Sequence, residues 1–120
     1  MVVKKAGSVA ASAVTMAGAS LTDMQMLLGP ADGCPNFAMR KFTVHAGGHT
    51  PHHQHDYEHE VLVLAGQGVA KGPHGEQALG AGDVVYVPAN QMHQFQNTGD
   101  GDLEFICLVP AKVHQPVSCS

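Results

Sequence analysis

His53, His55 and His59 stand close together in the chain and run into the apolar stretch 61–64, which ends at Gly66. Imidazole nitrogens are ligands for divalent transition metals, so the spacing of these three decides whether they can share an ion. If the segment is extended, residues two apart leave the same face with roughly 7 Å between Cα atoms. From there two rings can converge on one ion at about 2.1 Å each. His59 keeps the same odd parity and can join them. Asp56, Glu58 and Glu60 have the opposite parity and point away, unless a bulge between 56 and 58 resets the register. A helix would also bring His55 and His59 onto one face. Pro51 upstream, the valine-rich run downstream and the early glycine stop favour a strand. A His-rich stretch can also be a loose surface patch, but three histidines in phase, entering a buried-type strand, argue for an ordered metal site.

The elements around this stretch are short and regularly punctuated. The pattern predicts strands over 21–28, 36–45, 53–65, 69–71, 76–79, 83–87, 92–97 and 103–109. Turns are expected at 29–30, 46–48, 66–68, 72–75, 80–82 and 97–101, where Gly, Pro, Asn and Asp gather. Strands of this length with turn signals every 8–12 residues indicate an all-β sandwich or barrel. No helix, repeat or coiled-coil heptad is expected. In a small closed barrel, inward positions from different strands face a common interior. His93, on the predicted strand 92–97, thereby becomes the natural fourth ligand beside His53, His55 and His59.

Composition narrows the possibilities further. A chain of 120 residues is one domain and can bury about two-thirds of its unfolded surface. It divides into an N-terminal arm or edge strand (1–20), a barrel (21–110) and a C-terminal tail (111–120). The six Lys plus Arg are scattered, the formal net charge is −4 and tryptophan is absent, so no nucleic-acid partner is expected. The arm begins with Lys4 and Lys5, but its middle is Ala, Gly, Ser and Thr without the apolar core of a signal peptide. No run reaches the roughly 20 apolar residues that span a membrane. Three cysteines, Cys34, Cys107 and Cys119, show no framework spacing and fit a reducing, cytoplasmic setting. Cys107 sits in an apolar run and should pack as a small hydrophobe, while Cys34 and Cys119 are candidates for exposure.

Two spaced motifs resemble those of the cupin superfamily. The first, G-x5-H-x-H-x3-E-x6-G, is matched by Gly47, His53, His55, His59 and Gly66. The second, G-x5-P-x-G-x2-H-x3-N, is matched by Gly82, Pro88, His93 and Asn97. Histidine replaces the usual glutamate at position 59, as in small cupins with four-histidine sites. The longer spacing of the motif would select Glu60 but puts Gly66 out of phase. Asn90 replaces the second motif's inner glycine and tolerates the positive φ that the turn needs. The resemblance implies a double-stranded β-helix, or jelly-roll barrel, holding one divalent transition metal (Mn, Fe, Ni, Cu or Zn). It also implies a homodimer formed through sheet faces, with N-terminal strands often exchanged between subunits. The apolar run 103–109, with apolar residues on both parities, agrees with such pairing.

Four neutral imidazoles leave the +2 charge of an ion uncompensated and two adjacent coordination positions free. That arrangement suits a metal-dependent dioxygenase-type oxidoreductase acting on a small organic substrate. It equally suits a metal- or metabolite-binding module without turnover, or a structural homodimer stapled by its metal. Phe95, with Met39 or Phe42, is expected to line an apolar pocket. His45, His49 and His52 are candidates for outer-shell groups, with surface exposure the simpler expectation for each.

Overall fold

The structure, a computed structural model, describes residues 1–114. Cys119 and the rest of the tail beyond His114 lie outside the described residues. Nine strands form a curled sheet: β1 (Ser12–Ala13), β2 (Ser20–Leu28), β3 (Phe37–His49), β4 (His59–Ala65), β5 (Gln67–Gly72), β6 (Gly75–Gly80), β7 (Val84–Val87), β8 (Gln94–Asn97) and β9 (Leu103–Pro110). Their order is β6-β5-β8-β3-β9-β4-β7, with β2 also on β3 and β1 on β2. The fold is the all-β jelly roll. No α-helix occurs among the described residues. Three short 3-10 turns, at Ala6–Ser8, Pro30–Asp32 and Ala111–His114, complete them.

β3 bends the sheet. Its first part pairs with β9, from Phe37 opposite Pro110 to Val44 opposite Leu103, and with β2 on its other edge. Its last residue, His49, pairs instead with Gln96 of β8. Between these points the register against β2 jumps, Thr22 facing Val44 while Ser20 faces His49. The expected turn at 46–48 is therefore a bulge inside a continuing strand. Gly48 makes this possible, since a Cβ there would lie 2.6 Å from the Ser20 carbonyl oxygen.

Alternation along the strands builds the core. β4 turns His59, Val61 and Val63 inward and Glu60, Leu62 and Leu64 outward. β9 turns Leu103, Phe105, Cys107 and Val109 inward. Phe105 is fully buried, with ring centroids 5.3 Å from Phe42 and 5.1 Å from Phe95, and burial of one such side chain contributes about 1.5–3 kcal/mol. Asn97 closes the 97–101 turn. Its Nδ2 donates to the carbonyls of Val44 (2.8 Å) and Gly101 (2.7 Å), and its Oδ1 accepts from the Gly99 amide.

The N-terminal arm folds back on its own chain. β1 pairs with Asp23 and Met24 of β2, and Gln25 Nε2 donates to the carbonyls of Ala6 and Val9. At the other end the chain does not leave the barrel at Pro110: Ala111 is buried, and its amide donates to the Asn36 carbonyl.

Gly66 is the tightest point of the β4–β5 turn. Its φ is +91°, and a Cβ there would meet the Asp102 carbonyl and lie 2.8 Å from Leu103 Cα. Gly66→Ala should therefore cost about 3 kcal/mol through strain and clash together. Gly101→Ala, with open space at that position, should stay within about 0.5 kcal/mol. Urea unfolding of the two variants checks the contrast.

Candidate metal centre

The segment carrying the histidines is not the strand its spacing suggested. Between β3 and β4 the chain runs as a loop with a bend at residues 56–57, and β4 begins only at His59. Pro51 cannot donate to a ladder, and the only strand-like pairing here is a bridge between His53 and His93. In that bridge His53 N–H donates to the His93 carbonyl (3.1 Å) and His93 N–H donates back to His53 (2.9 Å). The Asn90 amide donates to the His55 carbonyl, and Asn90 has the left-handed conformation its place in the turn requires (φ 65°). Backbone bonds between two loops thus do the positioning that strand parity was expected to do.

The rings of the four predicted ligands gather together. Ring centroids are 4.0 Å apart for His53 and His55, 5.0 Å for His53 and His93, and 5.3 Å for His55 and His93. His53, His55 and His93 each offer one ring nitrogen, and these three nitrogens lie within 4.8 Å of one another. His59 stands slightly apart, outside that trio, with its ring 5.0 Å from both His55 and His93. It is buried, whereas Glu60 next to it faces outward.

Hydrogen bonds orient the rings. His93 Nδ1 lies 2.9 Å from the Gln91 carbonyl oxygen. A carbonyl only accepts, so Nδ1 carries the hydrogen and Nε2 keeps its lone pair. His59 Nδ1 faces Cys107 Sγ at 3.2 Å and Arg40 Nη2 at 3.4 Å. Its Nε2 is buried and has no protein partner. If that Nε2 is unprotonated, the Nδ1–H needs an acceptor, and the sulfur can serve where the guanidinium cannot. An orphaned buried imidazole nitrogen, on a ring 5.0 Å from those of His55 and His93, suits a metal ligand.

Electrostatics keep the rings neutral, as ligation requires. Burial, reinforced by neighbouring His55, lowers His53 to about 4. Burial, with the Arg40 charge second, lowers His59 to about 3. His55 and His93 are also lowered, chiefly by burial. The residues present therefore fit a divalent transition metal in chemistry, and His53, His55 and His93 fit one in placement.

The cluster opens into a cavity of about 220 Å³. Val14 and Met16 of the arm, Met24, Phe42, Phe95 and Phe105 make its apolar walls. Met39 does not reach it and lies instead along an outer groove with Leu62 and Tyr86. The odd parity of Met39 on β3 turns it away from Phe42.

A cupin domain (Cupin_2) family model matches residues 40–109. The chain belongs to the cupin family. It is 35% identical over 78 residues to 1-methylthio-D-xylulose 5-phosphate methylsulfurylase of Rhodospirillum rubrum, covering 65% of this chain and 50% of that protein. It is 34% identical over 58 residues to an oxalate-binding protein of Thermotoga maritima, covering 48% of each. The chain thus spans about half the length of these curated relatives. Among solved structures it resembles the polyketide cyclase RemF of Streptomyces resistomycificus, with TM-score 0.87 and 28% identity over 92% of this chain and 80% of that one.

This cupin has site residues that the sequence did not single out. Arg40 shares its parity on β3 with Phe42 and Val44, which was the available signal for an inward side chain. Tyr57 stacks on His55 at 4.6 Å with rings parallel within 1°. Cys107 is buried as expected and also accepts from Arg40 Nη2 at 3.1 Å. His114 lines the cavity from the last 3-10 turn, where no sequence pattern marked it. The other histidines have different work. His45 is clamped between Asp23 and Asp102 at 2.9 Å each, and these hydrogen bonds raise its pKa. His49 lies beside the Thr50 carbonyl and the Gln94 amide. His52 is exposed.

The lowered histidines set a pH dependence for the metal-free protein. A group whose pKa falls on folding binds protons more readily unfolded, so its stabilisation is complete above the unfolded value of 6.5 and is lost as pH falls towards 4 and 3. The raised His45 acts in the opposite sense, but it is exposed and screened. The thermal midpoint of metal-free protein should be flat above pH 7 and fall between pH 6.5 and 4.5, with a shallower fall in His59→Phe.

Proposed function

We propose that this cupin is a metal-dependent enzyme acting on a small organic substrate, with one divalent ion held by His53, His55, His59 and His93. The observation that carries this is the convergence of four neutral imidazoles, one with an orphaned buried Nε2, on a cavity with mostly apolar walls. When bound, the ion supplies Lewis acidity and, if it is Mn, Fe, Ni or Cu, redox chemistry with O2. The protein's share is to place and shield the substrate. Val14, Phe42 and Phe105 exclude water from an aromatic or enol-type body. His93 is held in orientation by the Gln91 carbonyl and His59 by Cys107. Tyr57, whose pKa burial raises, stays protonated at the wall as a hydroxyl donor. No carboxylate lines the cavity among the described residues, so proton transfer falls to imidazole, phenol or substrate groups.

The dioxygenase-type reading rests on the donor set, since an ion held by His53, His55, His59 and His93 alone would have room to take up O2 and substrate. A second reading, ring closure without oxygen, is favoured by the likeness to RemF across nearly the whole chain. We also place this cupin in the cytoplasm, in keeping with free thiols at Cys34 and Cys107. No helix among the described residues is long and apolar enough to cross a membrane.

Elemental analysis and turnover test the site together. Wild type and Glu60→Gln should retain about one metal per chain, whereas His93→Ala and His59→Ala should lose at least tenfold in affinity. Protein reconstituted with Fe(II), Mn(II), Cu(II), Ni(II) or Zn(II) is then screened against enediols, flavonols and poly-β-ketones. Oxygen uptake that vanishes in His53→Ala supports the oxygenase, and equal conversion under anaerobic conditions supports ring closure. Equal metal content in wild type and His93→Ala removes the four-ligand site, and conversion by no metal form removes the enzyme.

A second copy of the chain is the partner we propose for the outer sheet face. Leu62, Leu64, Val84, Tyr86 and Leu108 are all exposed there, Val84 at 77% and Tyr86 at 62%. A contiguous apolar face of this kind marks an interface. Sedimentation at micromolar concentration should show a dimer, and Tyr86→Lys with Val84→Lys should shift it to monomer.

A further inference from the structure

Arg40 is a buried cation without an anion. It is 9% exposed, and no Asp or Glu pairs with it among the described residues. Its Nη2 meets Cys107 Sγ and His59 Nδ1, its guanidinium carbon stands 5.0 Å above the Phe42 ring, and its buried Nε has no partner at all. None of these neighbours carries a compensating charge. Taking a guanidinium out of water costs several kcal/mol, and native proteins place such charges where a counter-charge arrives. Guanidinium does not escape by losing its proton.

The surroundings say what that counter-charge is attached to. Arg40 lines the same cavity as the histidines, and it brings the wall's only Arg, Lys, Asp or Glu side chain among the described residues. The volume of about 220 Å³ is below the roughly 300 Å³ at which drug-sized pockets begin. That space takes a single ring or a short chain. Met24, Phe42 and Phe105 would pack its body, and a planar carboxylate on such a body matches the forked donors of arginine.

We propose that Arg40 is the receptor for a carboxylate group, and that the cavity selects small monocarboxylates with an apolar body over their neutral analogues. This deepens the function proposed above by naming the ligand class of the same cavity, but it does not depend on a metal being bound. Arg40 is a specificity residue in this scheme and takes no part in bond making.

Benzoate and its neutral isostere benzamide are the probes, titrated calorimetrically into zinc-loaded and metal-free protein. Benzoate should bind at least tenfold tighter than benzamide in both forms. Arg40→Met should lose at least tenfold in benzoate affinity while keeping the wild-type zinc content, and Arg40→Lys should lie between. If Arg40→Met does not fold, the comparison of carboxylate with amide in wild type decides alone. Equal affinity for the two probes, or binding of neither, overturns the proposal, as does benzoate binding that needs zinc and is unchanged in Arg40→Met. Zinc uptake without benzoate binding sinks the carboxylate receptor and leaves the metal centre standing. Arg40-dependent benzoate binding in protein that takes up no zinc supports the receptor while the metal centre falls.

Discussion

The two backbone hydrogen bonds between His53 and His93 hold the site together. They join a loop after β3 to the approach of β8, two parts of the chain far apart in sequence. Without that bridge, His53 and His55 would ride on an unpaired loop and His93 on a separate one. Imidazoles repel one another's protonated forms and resist burial, so they do not gather unaided. The bridge places them together, and main-chain geometry then fixes their spacing more rigidly than side-chain packing could.

That bridge depends in turn on the bend of β3. A straight strand would pair with β9 and β2 along its whole length and leave β8 attached to β5 alone. The bulge at Gly47 and Gly48 carries His49 across to Gln96, and Thr50 extends the link by exchanging hydrogen bonds with Phe95. Local chain flexibility at two glycines therefore decides the shape of the cavity mouth. Asn97 ties the end of β8 back to Val44 on the near side of the same bend, so the site and the fold share one hinge point.

Charge follows from this architecture. The jelly roll buries one face of each strand, and on β3 the inward parity delivers Arg40 into the interior beside His59 and Cys107. A fully apolar residue there would stabilise the barrel at least as well. The positive charge instead adds to the burial that already keeps His59 and His55 neutral. The arm contributes the opposite quality, since Val14 and Met16 add apolar wall and reduce water access.

The amino-acid sequence by itself determined the all-β class, most strand positions and the inward face of β4, because period-2 alternation and glycine turns are local properties. It also singled out His53, His55, His59 and His93, since motif spacing survives whatever backbone carries it. Tertiary structure decided the rest. The extended reading of 53–58 failed because a strand needs a partner, and only the folded barrel shows that this stretch has one bridge and otherwise none. Turn and bulge at 46–48 use the same glycines, so only pairing across the sheet distinguishes them. Met39 and Phe42 were equal candidates until β3 acquired an inside, which put Phe42 in the cavity and Met39 outside. Arg40 carried the same parity signal as Phe42, but a charged side chain in an apolar run reads as surface. Its burial, and the company of Cys107 and His114 brought from the far end of the chain, exist only where β3, β4 and β9 meet.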